Sequence, residues 1–237
     1  TPTLYDADGY LHIRMAEFLK DLGPRYNFHW AKFSTFNGNF ADKDFLYHAV
    51  LIPFTFFKDI FFGAKAAAFI FTVLLFLGFY LILKRYSNKS ILPFFLSGFF
   101  LSGMFLETVS SPRPMTFVIL INLLAIHLLI NKRHWWVFFT AVFYSLIHVT
   151  SPLIILYAVI IEIVRYSDKK EFCLKTILAS FLGVLIGFLI HPNFPNNFIV
   201  FYLNSILVPI YTMKTGILEL GAEFFPLNTR EYLLQYP

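Results

Sequence analysis

The strongest constraint on this chain is a succession of apolar blocks between positions 61 and 190, most of them closed by charged residues. The block at 61–83 is long enough to cross a bilayer and is followed by Lys84, Arg85 and Lys89. Further blocks lie at 91–106, 115–130, 135–149, 152–164 and 176–190. Glu107 closes the second, Lys132 and Arg133 the third, and Arg165, Lys169, Lys170 and Lys175 follow the fifth. In lipid a free backbone N–H or C=O finds no partner, so segments of this kind cross as helices that satisfy their own backbone. The pattern predicts an all-α fold, a polytopic transmembrane helical bundle.

Composition agrees. Of 237 residues 58% are hydrophobic and 14% charged, against roughly half and about a quarter in a soluble domain. That leaves too little polar surface to cover a soluble globule. The 32 phenylalanines are a common bias of lipid-facing helices. The net charge of +5 does not indicate nucleic acid, because the basic residues cap apolar blocks and form no continuous face. Cys173 is the single cysteine, which excludes a disulfide framework or a thiolate metal site within these residues. The sequence begins at Thr1 without a signal peptide and ends at Pro237 in a polar loop. At least one span is therefore expected before it, and more after it.

Basic segments collect on the cytoplasmic side. Placing Lys84, Lys132 and the 165–175 segment together requires an even number of crossings between Arg133 and Arg165. The break at Thr150-Ser151-Pro152 supplies it as a hairpin of two short helices, each about 13–15 residues and roughly 20 Å long. A single kinked span would put the 165–175 segment outside, against the charge rule. The organisation predicted is an extracytoplasmic loop with amphipathic interfacial helices at 1–59, a six-span bundle at 60–190 and a second extracytoplasmic loop from 191 to 237. In the first loop Leu11, Met15, Phe18, Leu19 and Leu22 recur at helical spacing, with His12, Arg14, Glu17, Lys20 and Asp21 mostly opposite. Gly23-Pro24 ends that helix. Residues 33–39 read as a loop, and 44–57 as a second short helix.

Several residues in the outer segments could carry chemistry. Asp6 and Asp8 suit a general base or a divalent-cation site near a membrane surface, while Asp8 equally suits an N-cap. Glu107 needs a partner at its depth; Arg113 is the nearest, and the two could instead form a site facing the Asp8 loop. His148, beside the break, is expected to bond a freed backbone carbonyl, and mid-span His127 reads the same way. His12, His48 and His191 lie near the outer interface, but no close histidine pair occupies one helix face, so spacing yields no metal signature. Residues 191–197 form a turn-rich exit, and 198–213 an interfacial stretch. Glu219 and Glu223, four apart, read as a solvated face. No phosphate-binding glycine loop, nucleophile elbow or zinc-protease helix motif is present.

Asp8-Gly9-Tyr10 opening an amphipathic helix, with the layout of loops and spans, resembles the integral membrane glycosyltransferases of the GT-C superfamily. These include oligosaccharyltransferase catalytic subunits, protein mannosyltransferases and lipid A aminoarabinose transferases. The resemblance covers nearly the whole chain in layout, through motifs that are short. It implies a catalytic aspartate just after a first span, here Asp8 with Asp6 second. It implies a second acidic position at Glu107, where this sequence has one acid and the family tends to have two. A divalent cation, Mg or Mn, would be held by Asp8 and Glu107. Arg113, Arg14, His12 and His191 would be available to a donor phosphate. The implied chemistry is transfer of a sugar from a polyprenyl-phosphate or polyprenyl-diphosphate donor to an unknown glycan, lipid or protein acceptor. The lipid tail would lie between spans. The localisation implied is a bacterial inner membrane.

Three rivals come from the same residues, one of them a non-catalytic scaffold, which would tolerate loss of Asp6, Asp8 and Glu107 together. A secondary transporter would use the broken hairpin and His148, but few ionisable groups lie deep in the spans. A polysaccharide polymerase or ligase of another membrane fold would carry arginine-rich outer loops, and Arg113 stands nearly alone there.

Overall fold

The computed structural model describes residues 4, 7–26, 32–33, 38–86, 92–93, 97 and 103–215. Asp6, Glu219 and Glu223 lie outside the described residues, as does most of the apolar block at 91–106. All regular structure among the described residues is helical. Helix α1 (Ala7–Leu22) is followed by α2 (Phe45–Leu51), which tightens into a 3-10 turn at Ile52–Phe56 where Pro53 removes a donor. Then come α3 (Ile60–Tyr86), α4 (Gly103–Ser110), α5 (Met115–Ile130), α6 (His134–Ile147), α7 (Leu153–Lys169) and α8 (Leu174–Leu189). The described chain closes with α9 (Asn196–Tyr202), a π turn at Leu203–Leu207 and α10 (Val208–Thr215).

Of the described helices α3 alone, with 27 residues, is long and apolar enough to cross a membrane. Helices α5, α6 and α8 are apolar but have 16, 14 and 16 residues. At ~1.5 Å per residue they span about 21–24 Å, less than a hydrocarbon core of roughly 30 Å. Helix α7 runs five residues beyond its apolar block, to Lys169.

The chain reverses at 148–152. His148 leaves the helical region with φ −159° and ψ 148°, and α7 begins after Pro152. At its far end α7 returns to the start of the hairpin: Arg165 donates to Leu129 O (3.1 Å) and Ile130 O (3.2 Å) at the end of α5. The chain thus reverses between α6 and α7.

Two poles result. At one, Tyr86, His127 and Asn131 tie the end of α3 to that of α5, and Lys132 donates to Glu171 (2.6 Å). At the other lie α1, α2 and the connections at 111–114, 148–152 and 190–195. The two sequence-distant polar segments dock there on each other: Arg25 donates to Pro192 O (3.1 Å), and the Asp42 N–H to Asn193 Oδ1 (3.2 Å).

Between the poles, α6 and α8 pack against each other with small residues at their contact. A Cβ on Gly183 would lie 2.5 Å from Phe138 O, and one on Gly187 2.6 Å from Ser145 Cβ. The interior here is small and hydroxylated: Thr140, Ser145, Thr176 and Ser180 are buried. Large apolar residues such as Phe69, Leu77, Phe143 and Leu182 are exposed instead.

Helix α1 ends as its sequence requires. Gly23 takes φ +81°, and its N–H closes on Leu19 O (3.1 Å). Its buried face, however, is Gly9, His12, Ile13, Met15, Ala16 and Leu19. The expected apolar face is corrected: Leu11 and Leu22 point outward, and His12 inward. When the outside of a bundle is itself apolar, an apolar stripe no longer marks the inside.

Candidate functional site

Three segments converge at the second pole. Helix α1 brings Asp8 and His12, the turn at 41–44 with α2 brings Asp42, Asp44 and His48, and the inter-helix connections bring Arg113, His148 and His191. Asp42, Asp44, His12 and His48 are all buried, none more than 7% exposed.

The centre is a relay. His48 Nδ1 lies 2.8 and 2.7 Å from the two carboxylate oxygens of Asp42. A carboxylate only accepts, so this nitrogen carries the proton and Nε2 is turned away from Asp42. His48 Nε2 sits 2.8 Å from His12 Nδ1. One proton lies between these two nitrogens, or a cation replaces it. Burial disfavours charge on His48, but the Asp42 carboxylate outweighs it and raises the imidazole above its ordinary pKa. Asp42 is itself fixed, because its Oδ1 also accepts the Asp44 N–H (3.1 Å). His12 is further held edge-on to the Tyr47 ring, 5.4 Å between centroids.

Asp44 is the anomaly. It is 1% exposed, yet its Oδ1 has no hydrogen-bond partner. The nearest basic nitrogen in an ion-pair contact is His148 Nε2, 3.8 Å away. Burial, countered by Lys43 and His48 and reinforced by the Asp42 and Asp8 carboxylates, pushes the Asp44 carboxyl up to about 6. An unbonded buried acceptor normally costs about 1–3 kcal/mol. Such groups call for an occupant or a functional role.

The residues expected from sequence fall as follows. Asp8 lies in the first turn of α1, half exposed, with Oδ2 3.4 Å from Arg113 Nη2. Arg113 thus reaches Asp8, whose carboxylate also acts on Asp44. Glu107 is exposed on α4. Arg14 is on the outer face of α1, paired with Glu17 and stacked 5.2 Å from the Phe18 ring. His191 is buried, and backbone occupies both its nitrogens: Nε2–H donates to Asp42 O (3.0 Å), while Nδ1 accepts the Asn193 N–H (3.1 Å). Burial holds it below its ordinary pKa, and it serves to clamp 190–195 to 41–44. His148 does not bond a carbonyl: its Nδ1 accepts the Thr150 N–H (3.2 Å), so the proton of the neutral ring is on Nε2, facing Asp44. His127 pairs with the Tyr86 hydroxyl (2.8 Å) at the opposite pole.

The Arg113 guanidinium lies beside one oxygen of the half-exposed Asp8 carboxylate. The ligating atoms that do converge belong to His12, Asp44 and His48, all within 4.8 Å of one another. Spacing along the sequence hid this cluster, because its histidines are 36 residues apart on two different helices. The signal that was available is the acidic 42–44 turn four residues before His48.

Beside the relay, Lys43, His191 and Asn197 line a small cavity with Phe188 and Phe201. The same two phenylalanines border an entirely apolar groove formed with Pro152, Phe181, Val184 and Phe198. The fold and site thus define an all-helical protein with a buried histidine–aspartate centre at one pole and an apolar groove beside it. No protein-family model, curated protein or solved structure matches the chain.

Proposed function

We propose that this protein is an integral membrane glycosyltransferase that moves a sugar from a polyprenyl-phosphate-linked donor to an acceptor at the extracytoplasmic face. The observation that carries this reading is a coincidence at one pole. An Asp8–Arg113 pair, a buried histidine–aspartate centre and a lysine-edged cavity lie together, and an apolar groove adjoins that cavity.

The membrane part of the reading is supported by what faces outward. A water-facing bundle does not expose Phe69, Leu77, Phe143, Phe181 and Leu182 while burying threonine and serine. A lipid-facing one does, and it packs helices through small residues as Gly183 and Gly187 do. The basic pole, with Lys84, Arg85, Lys132, Arg133 and Arg165, then faces the cytoplasm. The histidine–aspartate pole faces the other side, in a bacterial inner membrane by the family resemblance.

In this mechanism the Asp8 carboxylate takes the proton of the acceptor hydroxyl or amide as its O or N attacks the anomeric carbon. The bond from that carbon to the phosphate oxygen breaks, and the phosphate leaves with the electron pair. Arg113 and Lys43 carry the positive charge that the leaving phosphate needs. The polyprenyl tail lies in the groove beside Phe188 and Phe201, so the donor stays in the membrane. A transporter reading gains nothing from the fold, because the buried titratable cluster lies at one end of the bundle and not midway along it.

The test is transfer by the full-length protein in membranes, supplied in parallel with a radiolabelled polyprenyl-phosphate sugar and a nucleotide-linked sugar. Transfer is expected from the lipid-linked donor alone, and Asp8→Asn is expected to lower it by about 10²–10⁴-fold with normal insertion. No transfer by wild type, or full activity in Asp8→Asn, overturns the reading.

A further inference from the structure

We propose that His12, His48 and Asp44 form a binding site for one divalent transition-metal ion of the zinc type, with Asp42 as the carboxylate behind it. The site stands on geometry and does not depend on the transfer reaction.

Two imidazole nitrogens and one carboxylate oxygen lie within 4.8 Å of one another. Magnesium and calcium prefer oxygen ligands, whereas two histidines with a carboxylate suit Zn²⁺, Co²⁺ or Fe²⁺. A Mg or Mn ion on two carboxylates, as the family resemblance implies, is a different chemistry at a different place.

The second layer points the same way. A metal-bound histidine usually gives its other N–H to a carboxylate, which fixes the tautomer and aims the free nitrogen at the ion. Asp42 does this for His48 through both oxygens, at 2.8 and 2.7 Å. His48 Nε2 is then aimed at His12 Nδ1, 2.8 Å away. At that distance the two nitrogens share one proton in an N–H···N hydrogen bond, and an ion at ~2.0–2.1 Å from each takes the proton's place once the rings part by a few tenths of an ångström. With the ion in place, His12 carries its own proton on Nε2 instead.

The third observation is Asp44 Oδ1, buried and without a hydrogen-bond partner. A metal ion supplies the missing partner of that oxygen. His148 is excluded as a fourth ligand in its present tautomer, because Thr150 donates to its Nδ1 and the proton sits on Nε2. That proton faces Asp44 at 3.8 Å and can steady the carboxylate from behind. Three protein ligands leave a tetrahedral ion one position for water or an anionic oxygen, the arrangement of sites that bind or activate a ligand.

The experiment uses the full-length protein in detergent, stripped with a chelator and titrated with Co²⁺ as an absorbing probe. The expected result is one Co²⁺ per chain with the intense visible bands of a four-coordinate site, displaced by Zn²⁺. Asp44→Asn and His48→Gln are expected to abolish the bands. Asp42→Asn, which keeps the shape of the pocket and serves if His48→Gln does not fold, should weaken binding by about 10–100-fold. Asp8→Asn should leave stoichiometry at one, which separates this site from a cation at the surface aspartate. The proposal is overturned if wild type binds no Co²⁺, or if Asp44→Asn and His48→Gln bind as tightly as wild type. Transfer activity is read in a separate assay, so failure of either idea leaves the other standing.

Discussion

The two poles of the bundle handle buried charge in opposite ways. At the basic pole Glu162 has no exposed side-chain surface, but Arg165 pairs with one of its oxygens and the Cys173 N–H bonds the other at 2.9 Å. Arg165 in turn caps two carbonyls at the end of α5. Both oxygens and the guanidinium are engaged, and the result is a fastened corner where α5, α7 and the 170–173 connection meet. At the histidine–aspartate pole the groups are as deeply buried but remain under-supplied. Asp44 Oδ1, Ser151 Oγ and Asn197 Oδ1 have no hydrogen-bond partner. A satisfied buried network is a scaffold; a half-satisfied one is where a protein keeps room for something else.

Four perturbations test that contrast. Glu162→Ala leaves Arg165 without its carboxylate, and loss of one partner from a buried pair costs about 3–5 kcal/mol. The expected outcome is a large fall in thermal stability in detergent, with transfer per folded molecule unchanged. Arg113→Ala does the reverse, because its guanidinium is one-third exposed and its pairing with the half-exposed Asp8 is screened by solvent. Transfer should fall by about 10²–10³-fold, as for loss of one donor that stabilises developing charge, with a melting profile like wild type. Gly187→Ala puts a methyl 2.6 Å from Ser145 Cβ and 2.8 Å from Val142 O. Overpacking of this kind costs about 1–3 kcal/mol, and a lowered melting temperature should expose how tightly α6 and α8 are joined. Lys132→Met removes an ion pair whose partners are 41% and 57% exposed. Its expected cost is within about 0–1 kcal/mol, and neither stability nor transfer should change measurably.

Much of the bundle could be read from the sequence because its signals are local. The apolar block at 115–130 coincides with α5, and Gly23 stops α1 where its positive φ is needed. The reversal at Ser151-Pro152 follows from charge placement, a rule that acts on short loops. The Gly183–Gly187 spacing within an apolar helix is likewise a readable sign of close packing. The site was only half legible. Asp8 and Arg113 stood out by type, but Arg113 reaches Asp8, a contact across roughly a hundred positions that no periodicity encodes. Placing His12 on the polar side of α1 failed for a physical reason: the helix packs under an exterior that is itself apolar. Asp42 and Asp44 look like turn residues, and their burial comes from the docking of 190–195 by His191 and Asn193. That contact exists only once the two polar segments have met.

The central claim is that chemistry resides at the histidine–aspartate pole and scaffolding at the basic one. Its most direct test is the rate of sugar transfer from a polyprenyl-phosphate donor per inserted molecule, with Asp8→Asn and Lys132→Met measured side by side. The expected result is near-complete loss in Asp8→Asn and a wild-type rate in Lys132→Met. A wild-type rate in Asp8→Asn, or an equal loss in both, would contradict it.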